Sequence, residues 1–196
     1  MNHRVKNNLA SILGILELEI QKGYQNADEF NNSINEINNR VRGLATLHDL
    51  LSASEWAPVP LSSLATKIIE GSLSNSPVSR HIQFSVDVVE NEPFVSPVKA
   101  TSLAFILNEL TINCIKYTSS DVANIKINLK IQKVDDRETT IIFKDNGPGW
   151  PEEVIKGERS GTGLRLIRNY IRSTLKGKME LLNDNGAAIA ITFKHS

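Results

Sequence analysis

The sequence predicts an α+β protein, an N-terminal two-helix hairpin followed by an α/β sandwich with one helical layer. Three observations carry this reading. The roughly fifty residues before Trp56 hold no proline and repeat apolar residues at helical spacing. Pro58 and Pro60 then mark a change of composition. Beyond them helix-like and strand-like segments alternate, the pattern of a sheet covered by helices.

In the first helix Val5, Leu9, Ile12, Leu16 and Ile20 share one face. Gly23 to Ala27 forms the turn, and Asp28 is placed to cap the second helix. There Phe30, Ile37, Leu44 and Leu51 recur every seven residues, with Ile34 and Val41 between them. That is a heptad seam, and a lone hairpin cannot cover it. The economical cover is two hairpins from two chains forming a four-helix bundle, with packing on the chain's own C-terminal part as the alternative. The expected division is a hairpin over 1–55, a linker over 56–60 and a second domain over 61–196.

In that second domain Leu61 to Leu73 reads as a helix and Ile82 to Val88 as an alternating strand. Val98 to Tyr117 is a long apolar helix, and Ile125 to Ile131 and Thr139 to Phe143 are neighbouring strands. Gly163 to Leu175 is helical. Strands at Lys178 to Leu182 and Ala187 to Phe193 follow, joined by a hairpin turn at Asn185-Gly186.

Composition narrows the function. The chain has 196 residues with 22 Lys and Arg against 22 Asp and Glu, which argues against a general nucleic-acid binder. No apolar run approaches the roughly 20 residues of a membrane span, and no signal peptide opens the chain. The single cysteine, Cys114, excludes a disulfide framework and a Cys-rich metal site. A soluble stretch in a reducing compartment remains, read as cytoplasmic, with membrane anchoring of a longer parent protein left open.

Three segments of the second domain carry chemistry. The first runs from Asn108 to Tyr117, where Glu109, Asn113 and Lys116 share a helix face. An amide oxygen between a carboxylate and an ammonium suits a Mg²⁺ ion shared with nucleotide phosphates; an exposed polar helix edge would look the same. The second is Asp145-Asn146-Gly147-Pro148-Gly149, directly after a strand. Its glycines let a flat ligand approach the backbone, and Asp145 can accept from an exocyclic amine such as that of adenine; an ordinary strand-ending turn is the alternative. The third, Ser160-Gly161-Thr162-Gly163-Leu164, enters a helix and offers backbone N–H groups to phosphate. No Walker-type loop is present.

Together, in this order, the segments resemble the N box and two glycine boxes of the GHKL ATPase and kinase superfamily (the Bergerat fold), over about Leu61 to Phe193. At the N-terminus His3-Arg4-Val5-Lys6-Asn7-Asn8-Leu9 resembles the phosphoacceptor box of HisKA_2/HWE-type histidine kinases, and Leu44 to Leu51 resembles that branch's second helix. Arg4 stands where the commonest kinase class has an acidic residue. A turn near residue 25 would bring His48 level with His3.

The resemblance implies a sensor histidine kinase core with ATP and Mg²⁺ as cofactors, a homodimer, and a response regulator receiver domain as partner. His3 would take the γ-phosphoryl group and pass it to an aspartate. Asn113 would hold Mg²⁺, with Glu109 supporting its water shell. Asn108 would belong to the same cofactor-binding helix, Lys116 would meet phosphate, Tyr117 would line the adenine or ribose, and Asp145 would bind the adenine amine. Gly147 and Gly149 would shape that pocket; Gly161, Thr162, Gly163 and Leu164 would border the phosphates. In ATPase branches the carboxylate matching Glu109 activates water, which would be wasteful in a kinase.

The loop between Gly149 and Gly161 is short for an ATP lid. Lys156 and Arg159 in it could reach phosphate or be a solvated basic loop, and Arg165, Arg168 and Arg172 extend the positive charge. Relatives often have threonine after the last glycine, where this chain has Gly186-Ala187-Ala188. His3 lies so near the start that a sensor segment is expected before Met1 in a longer protein. The other readings are a phosphotransfer scaffold that no longer binds ATP and a serine kinase of the anti-sigma type.

Overall fold

The computed structural model describes residues 26–74, 82–117 and 124–195. His3 and the first helix of the expected hairpin lie outside them. The described chain begins with helix α1 (Ala27–Ala53), whose first residue precedes Asp28. The helix ends where Glu55 and Trp56 adopt left-handed φ values of 51° and 62° and the Trp56 N–H donates to the Leu51 carbonyl. Strand β1 (Val59–Pro60) follows within the expected linker and pairs antiparallel with β3 (Phe94–Val95). Neither two-residue strand is long enough to show a period in the sequence.

Helix α2 (Leu61–Leu73) and strand β2 (Ile82–Val89) come next. After β3 follow helix α3 (Pro97–Tyr117), β4 (Ile125–Lys133), β5 (Glu138–Asp145) and the one-turn helix α4 (Glu152–Ile155). Helix α5 (Thr162–Tyr170) runs into a π-wound turn at Ile171–Leu175, and β6 (Lys178–Asn183) and β7 (Ala187–Lys194) close the chain. The main sheet has the order β2-β4-β5-β7-β6, with β2 and β4 parallel and the other pairs antiparallel.

One face of this sheet is apolar and covered by helices. Across β4, β5 and β7 the register places Leu129, Phe143 and Ile189 side by side, and next to them Ile131, Ile141 and Ile191. All six are buried, in one core with Leu103, Ile106, Leu107 and Leu110 of α3 and with Leu164 and Ile167 of α5. Burial of large aliphatic side chains, about 1.5–3 kcal/mol each, makes this layer the main source of stability.

The heptad seam of α1 divides between two environments. Leu44 and Leu51, with Leu47 and Leu50, are buried in the core shared with α2 and α3, whereas Phe30, Ile34 and Val41 are exposed. Packing on the chain's own C-terminal part therefore holds for the second half of the helix. It brings α1 alongside α3, where Gly43 packs against the side chain of Asn108.

Candidate active site

Three segments far apart in sequence line one cavity of about 760 Å³. Helix α3 contributes Glu109, Asn113, Lys116 and Tyr117, the end of β5 contributes Asp145, and the turns after it contribute Gly149 and then Gly161, Thr162, Gly163 and Leu164. The fold explains the convergence: β5 ends at Asp145 on the cavity wall, and α5 packs against α3 with its first residues lining the same space. The exposed side chain of Lys116 has its Nζ 5.7 Å from the Tyr117 ring centroid.

Two of the expected binding residues do not face the cavity. Asn108 is buried between α1 and α2, where its Oδ1 accepts from Ser72 Oγ at 2.7 Å; its Nδ2 has no hydrogen-bond partner among the described residues. One residue before Glu109 on a helix, it points about 100° away, into the helix layer. Gly147 instead supports Asp145, donating its N–H to Oδ1 at 2.8 Å. The Ala187 N–H donates to the same oxygen at 3.1 Å, so Asp145 is held in place with Oδ2 left to accept from a ligand. Here the backbone after Gly186 does the holding. Gly186 has φ 141°, and a Cβ there would stand 1.9 Å from the Asp145 carbonyl oxygen, so the turn reaches Asp145 only with glycine.

Also on the cavity lining, α5 starts at Gly161 with no side-chain cap and no acidic residue in its first turn. Its leading N–H groups and positive dipole end suit an anion. Gly163 sits so close to α3 that a Cβ would lie 2.6 Å from Glu109 Oε2. The loop between Gly149 and α5 is wound into α4. Lys156 in it pairs with Glu152 at 2.7 Å and does not line the cavity, while the exposed Arg159 does, 3.9 Å from Glu153.

Two cavity residues carry no signal in the sequence. Trp150 is fixed by three hydrogen bonds: its N–H to Asn183 Oδ1 at 2.7 Å, its Nε1–H to the Ala188 carbonyl at 2.9 Å, and Asn183 Nδ2–H to its own carbonyl at 3.0 Å. Arg40 comes from α1. Its Nε donates to Glu109 Oε1 and its Nη2 to Oε2 at 3.0 Å, with both side chains buried. An arginine amid an Asn-rich helix looks like surface charge until α1 is seen docked on α3.

The donor set fits a magnesium nucleotide. A held carboxylate and an uncapped helix start line the same cavity. No group of three or more His, Cys, Asp or Glu side chains converges among the described residues. A Mg²⁺ ion would be shared between the Asn113 amide oxygen and nucleotide phosphate oxygens.

The fold and cavity define a nucleotide-binding α/β sandwich with a helix from the preceding segment docked on it. Residues 98–196 match the family model described as "Histidine kinase-, DNA gyrase B-, and HSP90-like ATPase", and residues 1–76 match HisKA_2, "Histidine kinase". The chain belongs to this ATPase family and has the two-part make-up of HisKA_2-type sensor histidine kinase cores. It is 25% identical to the sensor histidine kinase PdtaS of Mycolicibacterium smegmatis, over 91% of this chain and 35% of the relative, so it spans about a third of that protein's length. The blue-light-activated histidine kinase EL346 of Erythrobacter litoralis shares the fold, with a TM-score of 0.71 at 20% identity, over 99% of this chain and 57% of that one. So does the histidine kinase ThkA, solved in complex with the response regulator protein TrrA, with a TM-score of 0.58 at 21% identity, over 99% of this chain and 59% of that one. Among the described residues no helix is long and apolar enough to cross a membrane.

Proposed function

We propose that the chain is a histidine kinase core that moves the γ-phosphoryl group of ATP to His3 and from there to an aspartate of a response regulator. The observation that carries this is the meeting of Asn113, Asp145 and the Gly161-to-Leu164 turn around one cavity, each with the chemistry its part of a nucleotide requires. Asp145 would accept from the adenine amine through Oδ2, Trp150 would wall the base, and the start of α5 with Arg159 would meet phosphate. Asn113 would hold the Mg²⁺ ion, which supplies charge neutralisation during phosphoryl transfer.

His3 suits the acceptor role because a neutral imidazole nitrogen is well populated near neutral pH. The HisKA_2 match spans His3 and supports that assignment. The exposed Ile34 and Val41 of α1 would add apolar surface to a homodimer. The TrrA complex of ThkA is the precedent for a receiver-domain partner. In the scaffold reading Asp145 and the α5 start would have no ligand to serve, and their arrangement favours the kinase.

The test is incubation with Mg²⁺ and γ-labelled ATP, followed by mapping of the label. Acid-labile phosphate on His3, absent in His3→Gln, is the expected result. Nucleotide binding without any label on His3 would refute the kinase reading, and no nucleotide binding would favour the scaffold.

A further inference from the structure

Glu109 is the one carboxylate of α3 that lines the nucleotide cavity, and its Oε2 lies against Gly163 at the start of the phosphate-facing turn. A carboxylate in that position can take a proton from water, the general-base role that turns a phosphoryl-transfer site into a hydrolase. Yet Arg40 donates to both of its oxygens, and Arg40 belongs to the helix that follows the phosphoacceptor segment, not to the nucleotide domain. A two-pronged guanidinium occupies the lone pairs that face it, one on each oxygen, so those pairs cannot take a proton from water.

We propose that Arg40 is a positioning residue that guards against hydrolysis: while α1 is docked, it holds Glu109 away from water, so the phosphoryl group is kept for histidine. This rests on the nucleotide-binding reading of the cavity. The suppressed reaction is explicit. A water oxygen forms a bond to the γ-phosphorus, the bond to the β–γ bridging oxygen breaks with its electron pair leaving on ADP, and the water proton passes to Glu109. With Arg40 in place the carboxylate is oriented by the guanidinium and two of its lone pairs are taken, so the last transfer is hindered. Docking of α1 and silencing of Glu109 are then one event, because Leu44 and Leu47 bury in the same helix contact that seats Arg40.

The experiment uses the full chain in a His3→Gln background, so that released phosphate reports hydrolysis alone. Arg40→Gln should raise Mg-ATP hydrolysis at least about fivefold, and adding Glu109→Gln should remove the gain. Deuterium uptake gives a readout independent of turnover: amides of residues 36–47 should exchange faster in Arg40→Gln. Arg40→Lys, which keeps the charge but loses the second prong, should show an intermediate rise and carries the test alone if Arg40→Gln does not fold. Unchanged or slower hydrolysis in a folded variant that still binds a fluorescent ATP analogue overturns the guard and leaves the nucleotide site standing. So does a gain that survives Glu109→Gln. Failure of the parent chain to bind the analogue at all would overturn both readings.

Discussion

Arg40 of α1 and Glu109 of α3, 69 residues apart in sequence, form a buried two-pronged ion pair in the wall of the cavity. Such a pair is costly to break and cheap to replace, because a single deletion strands a buried charge. Arg40→Met or Glu109→Leu alone should cost about 3–5 kcal/mol of stability, and the two together markedly less than the sum. A double-mutant cycle by urea denaturation measures this. Additive losses would show that the two groups do not depend on each other.

Asp145 is held through Oδ1 by the N–H groups of Gly147 and Ala187. An asparagine side chain at this position would keep that oxygen contact but turn an NH₂ donor towards the ligand's own amine. Asp145→Asn should therefore weaken ATP binding at least about tenfold, a loss of roughly 1.4 kcal/mol, with little change in melting temperature. Competition against a fluorescent nucleotide reads the affinity.

The two glycines flanking Thr162 should respond differently. A Cβ at Gly161 meets nothing within 4 Å, while one at Gly163 would meet Glu109 Oε2 at 2.6 Å. Gly161→Ala should leave the melting temperature near that of the parent. Gly163→Ala should lower it and reduce nucleotide affinity, since α5 must shift away from α3. Thermal melts and nucleotide titration of both variants make the comparison.

His195 lies at the far end of β7, with Nδ1 2.8 Å from Thr139 Oγ1. Partial burial, and then the nearby Lys133 and Lys99 cations, hold its imidazole below the ordinary value. Because the folded state binds this proton less readily than the unfolded chain, acid favours unfolding. The stability is intact above the ordinary imidazole value of about 6.5 and is lost as pH falls from there towards the lowered folded value. Urea midpoints should fall between about pH 7.5 and pH 5.5, and His195→Gln should flatten that fall.

Most of the fold was legible in the sequence. Helix Leu61–Leu73, the long helix ending at Tyr117 and the strands of the last hairpin follow from apolar periods of 3.6 and 2, and Asn185-Gly186 marks the turn, with φ 48° and 141°. Such features are local, and local backbone preference is written in neighbouring residues. The three cavity-lining segments were readable for the same reason: each is a short string whose chemistry depends on its own spacing. The β1–β3 pair was not, because two-residue strands exist only through each other.

What the tertiary structure decided is which surfaces meet. Periodicity told that α1 has an apolar seam but not what covers it, and the core of α2 and α3 takes Leu44 and Leu51 while leaving Phe30 and Val41 exposed. That docking alone turns Arg40 from a charge on a polar helix into the partner of Glu109, and sends Asn108 to Ser72 and Gly43 instead of the cavity. Folding of the sheet likewise joins Trp150 to Asn183 of β6. A sequence lists the donors and acceptors that each segment carries, and the choice among possible partners is made by burial, where an unpaired charge or amide is too costly to keep.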